Sequence, residues 1–252
     1  MGTLIHHWQS GQPWGLAGLT AARTLSEETP QRASPREPPP SAWELRAAPD
    51  DHGGDLWAVG ADLSAGTLLA AYRLGLFPMP LRGTIGWFSP AHRAVVPLEG
   101  FAPSRSLRRA RRRYEIRIDS AFRAVVDGCM RPGEPESWID DDIVEAYGEL
   151  HERGWAHSVE AWDDEGLAGG LYGVSIGGLF AAESMFHART DASKAAFVGL
   201  VEQLREAGAA DRRLLDVQWL TPHLETLGAV EVTRAEYRVR LSRALGAASP
   251  WR

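Results

Sequence analysis

The sequence predicts an α/β fold of the α+β kind, with antiparallel strands first and one helix crossing over to a further strand. Three observations carry this. Two apolar stretches, Gly169–Ser175 and Leu179–Met185, flank the tight-turn pair Gly177-Gly178, the pattern of a hairpin. Residues Ala192–Ala207 place Phe197, Leu200, Val201 and Leu204 on one side of a helix, which Asp191 is expected to cap. Leu214–Trp219 then reads as a continuous apolar strand broken only by Asp216 and Gln218.

The other elements follow in order. Residues 1 to about 40 are poor in core patterning, and TPQRASPREPPPS has the composition of a flexible tail. Order is expected from near Trp43. Asp62 or Ser64 caps a helix carrying Leu68, Leu69, Ala71 and Tyr72, which Gly75 ends. FPMP reads as a rigid turn presenting Met79, because two prolines fix the backbone around it. A short strand spans Ala94–Pro97. A helix starts at Ser104, a strand covers Tyr114–Ile118, and Ser120 opens a further helix. Asp140, Asp141 and Asp142 mimic a metal cluster, but negative charge also suits the start of a helix carrying Ile143, Val144, Tyr147 and Leu150. A strand covers His157–Trp162. Thr221-Pro222 starts a short helix ending at Gly228, and Thr233 with Glu236 forms a capping box.

A chain of 252 residues with 44% hydrophobic and 24% charged residues suits a water-soluble globular protein. Its single cysteine, Cys129, excludes an internal disulfide framework, and no zinc-ligand spacing exists. No apolar run reaches the length of a membrane span, and the N-terminus lacks a secretory pattern. A cytoplasmic location is expected. The net charge of -6 argues against a uniformly basic nucleic-acid binder. Yet Arg105, Arg108, Arg109, Arg111, Arg112 and Arg113 form one basic block, which fits either a phosphate-binding patch or a solvated helix face.

Glu183, Asp216 and Gln218 stand out chemically. A carboxylate inside an apolar strand is costly unless paired, so two such groups joined by one helix suggest a site. Gly173–Gly177 matches G-x-S-x-G, but a glycine turn and a strand follow where a nucleophile elbow needs a helix. The histidines lack metal-ligand spacing, and His151, His157 and His223 read as packing or surface residues. No glycine-rich nucleotide loop is present. Trp87, Trp138 and Trp219 stand beside turns or strand ends, where a tryptophan stacks on a base or packs the core. Arginines and turn-borne aromatics together favour an RNA ligand.

GADLSAGTLLAAYRLGLFP, WFSPAHRAVV, SRSLRR, SWIDDDIVEAY, HSVEAW, GGLYGVSIGGLFAAESMF, DASKAA and LLDVQWLTPHLETLGA occur in that order. Together they resemble the leucyl/phenylalanyl-tRNA–protein transferases. The resemblance implies a cytoplasmic aminoacyltransferase of the N-degron pathway that uses no cofactor and no metal. It implies two substrates: aminoacyl-tRNA carrying Leu or Phe, with Met a further candidate, and proteins with N-terminal Arg or Lys. It implies no membrane partner and a monomer. A GNAT-like domain over 93–252 would follow a small N-terminal domain over 41–92. Residue by residue, it implies Asp216 and Gln218 as catalytic and Glu183 as a pocket carboxylate. Met79, Trp138 and Tyr147 would lie by the 3′-terminal adenosine, Met79 standing where many relatives carry an aromatic. Leu171, Phe180, Phe197, Leu200, Leu204 and Leu215 would build the amino-acid pocket, and the six arginines would meet the acceptor stem. Asp216 is then expected to polarise Gln218, whose amide oxygen orients the incoming amine.

Overall fold

The computed structural model describes residues 34–130 and 138–251. The chain opens with β1 (Leu56–Val59), α1 (Ala65–Arg73), β2 (Phe77–Leu81) and β3 (Thr84–Phe88), and these strands form one antiparallel sheet ordered β1-β3-β2. FPMP is therefore strand, not turn. β2 lies at the sheet edge, and Pro78 and Pro80 alternate so that their missing N–H groups fall on the unpaired side. Residues 34–40, expected to belong to the tail, lie against the fold. The Arg36 N–H donates to the Arg153 carbonyl at 2.8 Å, and Arg73 grips both oxygens of Glu37 at 2.7 and 3.0 Å. Gly66 permits this approach, since a Cβ there would stand 2.1 Å from the Pro39 carbonyl oxygen.

A larger sheet follows. Its elements are β4 (His92–Val96), α2 (Arg105–Arg111), β5 (Glu115–Ile118), α3 (Phe122–Cys129), α4 (Asp141–Glu152), β6 (Ala156–Asp163), β7 (Gly166–Ile176) and β8 (Leu179–His187). Then come α5 (Ala192–Glu206), β9 (Leu214–Gln218), α6 (Pro222–Thr226), β10 (Val230–Thr233) and α7 (Arg234–Leu245). The strand order is β10-β4-β9-β8-β7-β6-β5. β5 to β8 pair antiparallel, and α5 crosses over to place β9 parallel to β8, as the sequence predicts. The expected caps divide: Ser64 makes no side-chain bond to α1, Asp62 accepting the Ser64 N–H instead, and α3 starts after Ala121 with no side-chain cap from Ser120. Ser104, Asp140 and Thr221 each accept a backbone N–H three residues on, and Thr233 with Glu236 forms the capping box. Asp191 differs: it adopts φ 64° and makes no cap bond, its carboxylate going to Lys194 and Arg113.

Alternation along the strands feeds a core on each face of the large sheet. Tyr172, Val174 and Ala181 pack with α1, α3 and α4, whereas Leu171, Phe180 and Leu215 pack beneath α5. Two irregularities interrupt it. In the β7–β8 pairing, Tyr172 faces Ser184 but Gly173 faces Ala182, so Glu183 is the extra residue of a bulge. Ala182 and Met185 consequently enter the same core although three apart. In the β4–β9 pairing, Ala94 faces Gln218 and Val95 faces Asp216, which makes Val217 the extra residue. The β8–β9 pairing ends at Ala181 and Asp216. Beyond that point the parallel strands run on without pairing, and a gap opens at their carboxyl ends.

Candidate active site

The gap holds a pocket of about 40 Å³ lined by Glu183 from β8, Val217, Gln218 and Trp219 at the end of β9, Phe77, Pro78 and Met79 of β2, and Trp138. Each bulge re-aims one polar residue of the lining. Glu183 is 8% exposed, and its Oε2 accepts the Tyr147 hydroxyl at 3.1 Å. Tyr147 in turn shares a hydrogen bond with the buried Tyr72 hydroxyl. Among the described residues, Glu183 Oε1 has no partner, nor has Gln218 Nε2. Gln218 takes φ 59°, a left-handed conformation that costs a non-glycine residue about 1–2 kcal/mol.

Burial pushes the Glu183 carboxyl up to about 7, against hydrogen bonds from Tyr72 and Tyr147 that favour its charged form. A carboxyl raised on folding binds its proton more tightly in the folded chain, so its contribution to stability falls as pH rises from its ordinary 4.5 through about 7. Glu183→Gln removes that penalty. Denaturant melts at pH 5 and pH 8 are expected to show the variant gaining on wild type at the higher pH, by on the order of 3 kcal/mol.

Asp216 does not line the pocket. It is fully buried, and its Oδ1 and Oδ2 accept the Arg93 guanidinium side-on at 2.8 and 2.6 Å. The Tyr237 hydroxyl adds 2.8 Å to Oδ2, and the backbone N–H of Gln218 adds 3.0 Å to Oδ1. Arg93 lies 4.5 Å from the centroids of both the Phe77 and the Tyr237 rings. With four donors on its two oxygens, Asp216 is committed to holding Gln218 through the backbone. That differs from the expectation that it polarises the Gln218 side chain. Arg93, Tyr237 and Tyr72 are not among the site residues expected from the sequence. The signal for Arg93 was present, since an arginine in HRAVV is as exceptional as an aspartate in LLDVQW.

The remaining residues divide. Met79 and Trp138 line the pocket, while Tyr147 is fully buried and reaches it only through Glu183. Leu171, Phe180, Phe197, Leu200, Leu204 and Leu215 do not line the pocket but fill the core beneath α5. Trp87 is a packing residue that donates its Nε1–H to the Gly60 carbonyl. Ser175 is buried in β7 with no elbow after it. His151 stacks on Phe122 and His157 on Trp251, as packing residues do. Among the arginines, Arg111 pairs with Glu202 and Arg113 with Asp191, so both are engaged within the fold. Arg108 donates to the Pro103 carbonyl. Arg105, Arg109 and Arg112 are exposed and carry no ion pair among the described residues. No cluster of three metal-ligating side chains occurs among the described residues, and none of the described helices is long and apolar enough to cross a membrane.

Comparison with known proteins bears on these residues together. The family model described as leucyl/phenylalanyl-tRNA protein transferase matches residues 95–242, and the model of that family's N-terminal domain matches residues 61–91. A leucyl/phenylalanyl-tRNA–protein transferase of Chlorobaculum tepidum is 50% identical over 71% of this chain and 94% of its own length. One from Akkermansia muciniphila is 52% identical over the same shares. Among solved structures, L-PGS from Bacillus licheniformis aligns with a TM-score of 0.40 at 14% identity, over 62% of this chain and 65% of that one. The residues around the gap between β8 and β9 fall inside the matched region. This chain belongs to the leucyl/phenylalanyl-tRNA protein transferase family.

Proposed function

We propose that the chain transfers leucine or phenylalanine from aminoacyl-tRNA to the N-terminal Arg or Lys of a protein, and that the gap between β8 and β9 is where the ester and the amine meet. The observation that supports this most is that two residues lining one pocket, Glu183 and Gln218, each carry a buried polar atom, Oε1 and Nε2, with no partner among the described residues. The ester bond of aminoacyl-tRNA is already activated, so no ATP enters. Gln218 Nε2 is a donor placed for the ester carbonyl oxygen, where negative charge develops in the transition state. Asp216, held by Arg93 and Tyr237, is a positioning residue beneath it.

Met79 and Trp138 both line the pocket, which supports reading this side of it as the seat of the terminal adenosine. Met79 offers a polarizable thioether where an aromatic would stack. The aminoacyl group enters by this pocket. The apolar residues beneath α5 are the wall that receives it in this reading. Two divisions suit the topology: a small N-terminal unit over 41–92 containing the three-stranded sheet, and a GNAT-like unit over 93–252 containing the larger sheet. The working form is read as a cytoplasmic monomer.

Arg105, Arg109 and Arg112 are the members of the basic block left to meet acceptor-stem phosphates, which guanidinium binds largely without reading sequence. Replacing all three with alanine is expected to weaken leucyl-tRNA binding and to flatten its log–log salt dependence by about 0.9 per arginine. An unchanged slope contradicts that role. The reaction itself is tested with radiolabelled leucyl-tRNA and peptides that differ only at the first residue. Label is expected on the Arg-initiated peptide and not on the Ala-initiated one; equal labelling, or none, overturns the reading.

A further inference from the structure

We propose that Glu183 is the catalytic residue that takes the proton from the attacking amine, a step that rests on the transferase reading above. Among the described residues, the pocket lining leaves one candidate. Phe77, Pro78, Met79, Trp138, Val217 and Trp219 carry no base, and the Gln218 amide is not one at neutral pH. Asp216 is excluded by its surroundings, since it is fully buried and its oxygens are taken by Arg93, Tyr237 and the Gln218 N–H. Glu183 differs on each count. It lines the pocket, one oxygen is anchored by Tyr147, and the other is unpartnered. The β8 bulge that makes Glu183 the extra residue aims it there.

Among the described residues, the groups facing Glu183 leave it free to titrate alone. Tyr72 on α1, Tyr147 on α4 and Tyr172 on β7 are all raised, chiefly by burial, and stay protonated. Asp216 on β9 and Arg93 on β4 form an ion pair whose fields oppose each other at Glu183. A carboxyl near 7 is matched to proton transfer at cellular pH.

The step balances. The neutral α-amine of the acceptor attacks the ester carbonyl carbon and forms the C–N bond, while the carbonyl electron pair moves to an oxyanion beside Gln218 Nε2. The N–H proton passes to Glu183 Oε1. Collapse of the oxyanion breaks the bond to the ribose oxygen, and Glu183 returns the proton to that oxygen. The products are an amide, a tRNA with a free terminal hydroxyl, and the regenerated carboxylate. Tyr147, backed by Tyr72, fixes which oxygen faces the pocket and acts as a positioning residue.

The test is single-turnover transfer from leucyl-tRNA to an Arg-initiated peptide between pH 5.5 and 8.5, for wild type, Glu183→Gln and Glu183→Asp, with tRNA affinity measured alongside. The acceptor amine, with a pKa of about 7.7–8.0, titrates in every sample. Wild type should therefore lose rate with the square of proton concentration below pH 7, because Glu183 titrates too. Glu183→Gln should be slower by about 10²–10⁴ and show a first-power dependence only. Glu183→Asp should regain part of the rate and the second-power dependence. Full rate in Glu183→Gln, or an unchanged pH profile, overturns the proposal. A raised peptide KM with unchanged kcat does so too, and makes Glu183 a holder of substrate ammonium. Wild type that transfers nothing overturns instead the transferase reading on which the step rests.

Discussion

Arg93→Met is expected to destabilise the protein by about 3–5 kcal/mol, because it strands a fully buried carboxylate without its cation. At about 2–4 °C per kcal/mol for a chain of this size, the melting temperature should fall by roughly 10 °C or more. The cause is identified by a second change. Adding Asp216→Leu replaces the pair with apolar groups, which is often neutral for stability. The double variant should therefore recover most of the lost stability. It should not recover transfer, because the N–H of Gln218 has lost the oxygen that holds it. Recovery of both stability and transfer would show that the buried pair does nothing for the site beyond packing.

Gln218→Gly is expected to separate stability from activity. Glycine adopts a positive φ without steric cost, and the change also removes a buried, unpartnered amide nitrogen. Those gains offset the lost side-chain packing, so denaturant midpoints should stay within about 1 kcal/mol of wild type. Single-turnover transfer should fall by about 10²–10³, the usual cost of removing one oxyanion donor, with leucyl-tRNA affinity retained. A variant that is stable and fully active would exclude Gln218 from the chemistry. Strain held in the fold at a position that gains nothing from it would then have no functional account.

How far the sequence carries depends on how local the determinant is. Ser104, Asp140, Thr221 and the Thr233–Glu236 box are legible because each cap satisfies a backbone group three residues away. β1 and β10 are short strands whose partners lie far along the chain, β10 pairing with β4 from Val230 to Val95, and neither announces itself. Two prolines in FPMP suggest a turn until the sheet shows that β2 is an edge strand. The site divides in the same way. Glu183, Asp216 and Gln218 are visible as polar residues inside apolar strands. What each does is not, because the bulges that aim Glu183 and Gln218 are properties of strand pairing, and Asp216 is neutralised by Arg93, 123 residues upstream. The arginine block shows the same limit: Arg111 and Arg113 look equivalent to Arg109 until Glu202 and Asp191 fold onto them.

Whether the acyl-transfer centre lies between β8 and β9 is tested most directly by hydrogen–deuterium exchange, with and without a non-hydrolysable amide of leucyl-adenosine. Bound analogue is expected to protect backbone amides at 183–187, 217–219, 79 and 138, and to leave the amides of α2 and β5 unchanged. Saturable binding with protection on another face, and none at the ends of β8 and β9, would contradict that placement.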